Sequence, residues 1–93
     1  MTIQSFADKE TQALYETDKS RKWNSLAKVA FRKLYMLDAA EQVDDLRAPP
    51  GNRLEKLSGD REGRYSIRIN DQFRLCFIWT AKGAENVEIV DYH

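Results

Sequence analysis

The sequence predicts an α+β domain of order β-α-α-β-β-β-β, with two N-terminal helices packed on a mainly antiparallel sheet. Three observations predict it. Residues 8–37 hold two stretches whose apolar side chains recur at helical spacing. Residues 53–91 hold short stretches that alternate apolar and polar, separated by turn residues. The helical half precedes the strand half, which segregates helices to one face of a sheet instead of placing them between parallel strands.

The elements follow in order. Residues 2–6 (TIQSF) are β-prone, end on an apolar residue and read as a first strand. Asp8 can cap a helix over 8–17, with Glu10, Ala13, Leu14 and Thr17 at helical spacing. A second helix begins near Asn24 or Ser25. Its apolar stripe is Trp23, Leu26, Ala27, Ala30, Phe31, Leu34 and Leu37, and Lys28, Arg32 and Lys33 lie off it. Residues 44–52 contain two prolines and a glycine, which stop any regular element. Strands are expected at 53–57, 64–69, 72–79 and 86–91, joined by turns at 58–63, 70–71 and 81–83. In 64–69, Tyr65, Ile67 and Ile69 face one way and Arg64, Ser66 and Arg68 the other. In 72–79, Phe73, Leu75, Phe77 and Trp79 share a face, with Arg74, Cys76 and Ile78 opposite. A strand apolar on both faces belongs in the middle of a sheet.

At 93 residues, 42% hydrophobic and 32% charged, the chain suits a single domain over 1–93 with one modest core. No run approaches the roughly 18 apolar residues that span a bilayer. The first six residues lack the basic start and apolar stretch of a signal peptide. One cysteine, Cys76, cannot form an internal disulfide. The expected compartment is therefore the cytoplasm, with no membrane partner. One histidine and one cysteine without ligand spacing argue against a metal, and neither a phosphate-binding loop nor a dinucleotide fingerprint is present, so no cofactor is expected. A mid-strand Cys76 reads as an inert thiol, not as a nucleophile.

Net charge is zero, which taken alone argues against a nucleic-acid partner. The distribution argues differently. Residues 19–37 carry six basic side chains and no acid, and residues 47–74 carry seven basic against four acidic. Segregation of this kind makes a local positive face on a neutral protein, although any soluble helix also has a solvated charged face. Charge inside a sheet is costly unless it faces solvent or a partner, which singles out Arg74, flanked by Phe73 and Leu75. Arg68 is also explained by an outward ion pair. Tyr92 and His93 can move protons, but a terminal histidine by itself is usually a solvated tail residue. Together these are the parts that RNA cleavage without a metal requires: groups that move protons at the 2′-OH and the 5′-oxygen, and cations on the phosphate.

The C-terminal half carries Leu57, Gly59-Asp60, Tyr65-Ser66-Ile67, Asn70, Phe73-Arg74 and Asp91-Tyr92-His93. Upstream stand Ile3-Gln4-Ser5-Phe6, Leu37-Asp38-Ala39-Ala40 and Pro50-Gly51-Asn52-Arg53-Leu54. This set, in this order and spacing, resembles the HigB (host-inhibition, killer-suppression) branch of the RelE-like toxins of type II toxin–antitoxin systems. The resemblance covers nearly the whole chain. It implies a ribosome-dependent, metal-independent endoribonuclease that cleaves mRNA in the A site and inhibits translation. It implies as partners the ribosome, mRNA and a helix-turn-helix (HigA-like) antitoxin, with operator DNA reached only through that antitoxin. It implies that Arg74 binds the scissile phosphate, that Tyr92 and His93 orient mRNA and transfer protons, and that Asp91 positions the tail or contacts substrate. Arg53, Lys56 and Arg68 are expected at RNA phosphates, and Lys28, Arg32 and Lys33 at the ribosome.

The sequence departs from the family pattern at two positions. Ser58 stands where some members have a lysine, and Glu55 where some have a histidine. The general base is thus left open, with Lys56, Arg53 and Arg68 available to supply positive charge. A milder nuclease is expected, one that Ser58→Lys should quicken on programmed ribosomes. As the last residue of this sequence, His93 is expected to carry a carboxylate beside its imidazole. That favours the protonated ring and the role of acid or cation over that of base. Two other readings compete: a catalytically weak or inactive RNA- or antitoxin-binding module acting mainly in operon regulation, and a ribosome-independent nuclease. The departures favour the former; Arg74 and Tyr92-His93 count against it. The few acid–base residues fit the latter poorly.

Overall fold

A computed structural model describes residues 2–19, 23–57 and 63–91. Two helices, α1 (Lys9–Thr17) and α2 (Ala27–Ala39), pack on a four-stranded antiparallel sheet of β1 (Glu55–Lys56), β2 (Arg64–Arg68), β3 (Phe73–Thr80) and β4 (Gly83–Asp91). The strands lie in sequence order, β1-β2-β3-β4, so β3 is central as its two apolar faces require.

Asp8 starts α1: its carboxylate accepts from the Thr11 amide at 2.6 Å and from the Thr11 hydroxyl at 3.1 Å. Asp18 ends it in the left-handed conformation, φ 59°, returning its amide to the Leu14 carbonyl. Helix α2 is led in by a 3₁₀ turn, Asn24–Leu26, and buries Ala30, Leu34 and Leu37 at one helical face. These residues meet Ile67, Leu75, Phe77, Val87 and Ile89 of the sheet, all at most 6% exposed. Burying each such large side chain contributes about 1.5–3 kcal/mol, so this layer dominates the stability of the fold.

Strand β4 begins three residues earlier than the sequence pattern suggests, and a bulge explains why. Cys76 pairs with Glu88 and Ile78 with Glu85, so two β4 residues stand opposite Phe77 alone. Asn86 absorbs the extra residue at φ 52°. The bulge lets Ala84, Val87 and Ile89 all face the core, which strict alternation forbids for residues three apart.

The expected first strand is an extended segment that touches β4 through two isolated parallel bridges, Ile3 with Ala84 and Phe6 with Val87. The same bulge interrupts the ladder between them, and there the Ser5 hydroxyl accepts from the Asn86 amide at 2.9 Å. Gly83, at φ 130°, allows the close approach: a Cβ there would lie 2.1 Å from the Thr2 carbonyl oxygen. Asp38 at the end of α2 ties the segment down, accepting from the Ile3 amide at 2.9 Å and the Tyr15 hydroxyl at 2.6 Å. Burial, then that hydrogen bond, push the Tyr15 hydroxyl well above its ordinary range.

The strand expected over 53–57 shortens to Glu55–Lys56, because Arg53 is left-handed and cannot extend it. The proline-rich stretch folds into two 3₁₀ turns, Val43–Arg47 and Pro50–Asn52. The two-residue turn expected at 70–71 is wider. The amides of Ile69 and Asn70 both donate to the Phe73 carbonyl, and the Asn70 side chain caps the amides of Gln72 and Phe73. Among the described residues no helix is long and apolar enough to cross a membrane.

Candidate functional site

Strand alternation divides the sheet. Ile67 and Leu75 point into the core, so Ser66, Arg68, Arg74 and Cys76 point away from the helices. Register sets Arg68 opposite Arg74, Ser66 opposite Cys76, and Glu55 opposite Ser66. Like charges directly opposite each other destabilise a sheet, so this pair needs compensation. Arg68 is paired with Asp71 of the β2–β3 turn. Arg74 has Glu55 Oε2 at 3.8 Å from Nη2.

Arg74 is also held by uncharged acceptors. Its Nε donates to Ser66 Oγ at 2.8 Å and its Nη2 to the Arg53 carbonyl at 2.6 Å, with the Ser66 carbonyl at 3.3 Å. Only 12% of the side chain is exposed. The guanidinium therefore keeps a fixed orientation instead of sampling rotamers. Ser66, although it faces away from the helices, is fully buried. A planar, oriented guanidinium beside a second arginine is suited to a phosphate, whose oxygens accept paired N–H bonds.

The remaining candidates fall into three groups. Arg53 is exposed and joins the Arg74 cluster through its backbone. Lys56 and Asp91 do not share that face. Lys56 is opposite Tyr65, whose ring stacks on core Phe77, so alternation turns Lys56 to the helix side. Asp91 is opposite Phe73, while Val90 is the residue opposite Arg74. The Asp91 carboxylate accepts from Gln72 Nε2 at 3.0 Å. Tyr92, His93 and Ser58 lie outside the described residues.

On α2, Lys28 and Arg32 are exposed and Lys33 is half-buried. Lys33 Nζ donates to Oδ1 of Asn52. Burial lowers the Lys33 pKa, and the positive charges of Arg32 and Arg68 lower it further. The positive charge of Arg68 thus reaches Lys33 on α2. Ser66 and Asn52 are the residues that sequence reasoning passed over. Asn52 sits in the Pro-Gly-Asn-Arg run and Ser66 in the Tyr-Ser-Ile run, and both are polar groups that the fold buries completely.

Three comparisons bear on this arrangement. A family model described as "RelE-like toxin of type II toxin-antitoxin system HigB" matches residues 4–93. The chain is 49% identical over 76 residues to Toxin HigB-1 of Vibrio cholerae, with 80% of each protein covered. It is 42% identical over 64 residues to an uncharacterized protein of Haemophilus influenzae, covering 69% of this chain and 63% of that one. Among solved structures, a chain of the YoeB-YefM complex from Staphylococcus aureus superimposes with TM-score 0.62 at 20% identity. That superposition covers 100% of this chain and 97% of the other, and so supports the two-helix, four-strand fold. The family match spans both the basic helix and the arginine-bearing sheet, and with the Vibrio relative it establishes that the chain belongs to the HigB-like toxins of the RelE-like family, the toxins of type II toxin–antitoxin systems.

Proposed function

We propose that this toxin is a ribosome-dependent endoribonuclease that cuts mRNA in the ribosomal A site and so stops translation. The observation that carries the reading is the oriented guanidinium of Arg74, mostly buried and aligned beside Arg68 on the sheet face away from the helices. Cleavage by attack of the 2′-oxygen on the neighbouring phosphate builds negative charge on phosphate oxygens, and a preorganised cation stabilises that charge without reorganising. In this reading Arg74 holds the scissile phosphate, and Arg68 and Arg53 contact flanking phosphates. Lys56 binds phosphate farther along the strand edge, and Lys28 and Arg32 face ribosomal RNA, while Lys33, the third basic residue of that helix, turns its ammonium to Asn52. Tyr92 and His93 orient the mRNA and move protons, with His93 as acid, and Asp91 positions that tail. No metal is needed for these steps. A HigA-like helix-turn-helix antitoxin silences the protein and carries any contact with operator DNA. The site of action is the cytoplasm, where translation occurs.

Mapping mRNA 5′ ends after a brief induction tests this. New ends should lie within translated codons, and Arg74→Ala or removal of His93 should abolish them along with growth arrest. Arrest that survives both changes overturns the site assignment. One observation favours the alternative of a catalytically weak binding module: Glu55 places a carboxylate near Arg74 and reduces its pull on phosphate. Under that alternative, induction leaves mRNA intact for both the native chain and Glu55→Gln while antitoxin binding persists.

A further inference from the structure

Asn52 is a fully buried polar residue whose amide is occupied on both sides. Its Nδ2 donates to the Leu46 carbonyl at 3.2 Å and the Ala48 carbonyl at 3.3 Å, and its Oδ1 accepts from Lys33 Nζ. The side chain thus fastens the turn-rich stretch between α2 and β1 to the middle of α2. The next residue, Arg53, is left-handed at φ 46° and ψ 57°, and its carbonyl accepts from Arg74 at 2.6 Å. One peptide step therefore separates the Lys33–Asn52 bond from the acceptor that orients the Arg74 guanidinium. The donor of this tie is a cation in an unfavourable place. Lys33 is half-buried with Arg32 and Arg68 close enough to disfavour its charge. Burying a charged amine beside like charges costs free energy that a neutral donor would avoid.

We propose that Lys33 and Asn52 are positioning residues for the cleavage step: together they fix the Arg53 carbonyl and, through it, the orientation of Arg74. The inference rests on the reading of Arg74 as the phosphate-holding group. It gives Lys33 a role distinct from that of exposed Lys28 and Arg32, because its ammonium is directed inward to Asn52 and not outward to RNA.

The test is single-turnover cleavage of mRNA on programmed ribosomes, measured over a range of ribosome concentrations. The variants are Lys33→Met, Asn52→Ala, Arg74→Lys and the double variant Lys33→Met/Arg74→Lys. Methionine keeps the apolar stem of Lys33, so that variant folds even if Asn52→Ala does not. Lys33→Met should lower the saturated cleavage rate roughly tenfold, with the half-saturating ribosome concentration unchanged within about twofold. In the Arg74→Lys background the same substitution should have almost no further effect, because the residue it orients is already altered. Rate losses that multiply in the double variant overturn the positioning role and leave the reading of Arg74 intact. A raised half-saturating concentration with an unchanged rate makes Lys33 a plain surface contact and also overturns it. An unchanged rate for Arg74→Lys refutes the reading of Arg74, and this proposal falls with it.

Discussion

Arg74→Lys separates the geometry of the guanidinium from its charge, and the structure sets the expected loss. Arg74 makes two short donations in different directions, to Ser66 Oγ at 2.8 Å and to the Arg53 carbonyl at 2.6 Å. A lysine ammonium ends a flexible stem and cannot hold both acceptors as the planar fork does. Losing one hydrogen bond from a charged donor costs about 1.5–3 kcal/mol. The charge is kept, and Glu55 is 58% exposed, so the ion pair changes by well under ~1 kcal/mol. The net expectation is a loss of about 2 kcal/mol, which at a slope of about 1–2 kcal/mol per molar lowers the urea midpoint by roughly 1–2 M. Tryptophan fluorescence reports it well, since Trp23 packs edge-on against Phe73, the neighbour of Arg74, at 5.2 Å. Ser66→Ala should cost a comparable amount in the native chain and much less in the Arg74→Lys background. A midpoint within about 0.3 M of the native value, a change of only a few tenths of a kcal/mol, would show that the contacts around Arg74 do not hold it.

Three further outcomes are expected. Gly83→Ala should destabilise by about 2–3 kcal/mol or more and release residues 2–6 to proteolysis, because its Cβ would sit 2.1 Å from the Thr2 carbonyl oxygen at a φ of 130°. Tyr15→Phe should cost about 1–2 kcal/mol near neutral pH. The folded Tyr15 hydroxyl titrates above its unfolded value of 10.0, so its contribution is complete below that value and is lost as pH rises beyond it. Urea midpoints should therefore fall less steeply above pH 10 in Tyr15→Phe, and an unchanged pH slope refutes the assignment. Charge reversal at exposed Lys28 and Arg32 should weaken ribosome association and flatten its salt dependence in a sedimentation assay. An unaltered salt slope removes α2 from the ribosome contact.

The division of the chain into helices and strands was legible because burial imposes a period on it. The stripe of Ala30, Leu34 and Leu37 and the alternation through Ile67, Leu75 and Phe77 each follow from one face meeting the core. Strand ends were less legible, because they are set by backbone conformations that few residues announce. Arg53 and Asn86 both adopt positive φ. The first shortens β1 and the second inserts the bulge that extends the core face of β4. Arg74 stood out as a charge between two apolar neighbours, whereas its partners did not. Ser66 and Asn52 become important only when strand pairing and loop closure bring acceptors and donors from distant positions together, and no local pattern encodes that.

A neutral chain can present a cationic face when several of its acids are committed elsewhere. Asp8 accepts from the amide that starts α1. Asp38 holds the N-terminal segment. Asp45 takes the amides of Glu41 and Gln42 at 2.9 and 3.1 Å, and Asp44 pairs with Arg47 at 3.2 Å. These carboxylates satisfy local donors on the helical side and at the 41–47 turn, so little of their field reaches the far face of the sheet. The basic residues are placed differently: α2 contributes Arg32 and Lys33, the sheet contributes Arg68 and Arg74, and the linker before β1 contributes Arg53. Among the described residues Asp71 and Glu55, both exposed, pair with them, and register sets Glu88 on the same face opposite Cys76. Net charge is a sum over the whole surface, whereas a phosphate responds to potential at one place, and the fold gathers Arg68 and Arg74 on one face of the sheet with Arg53 beside them.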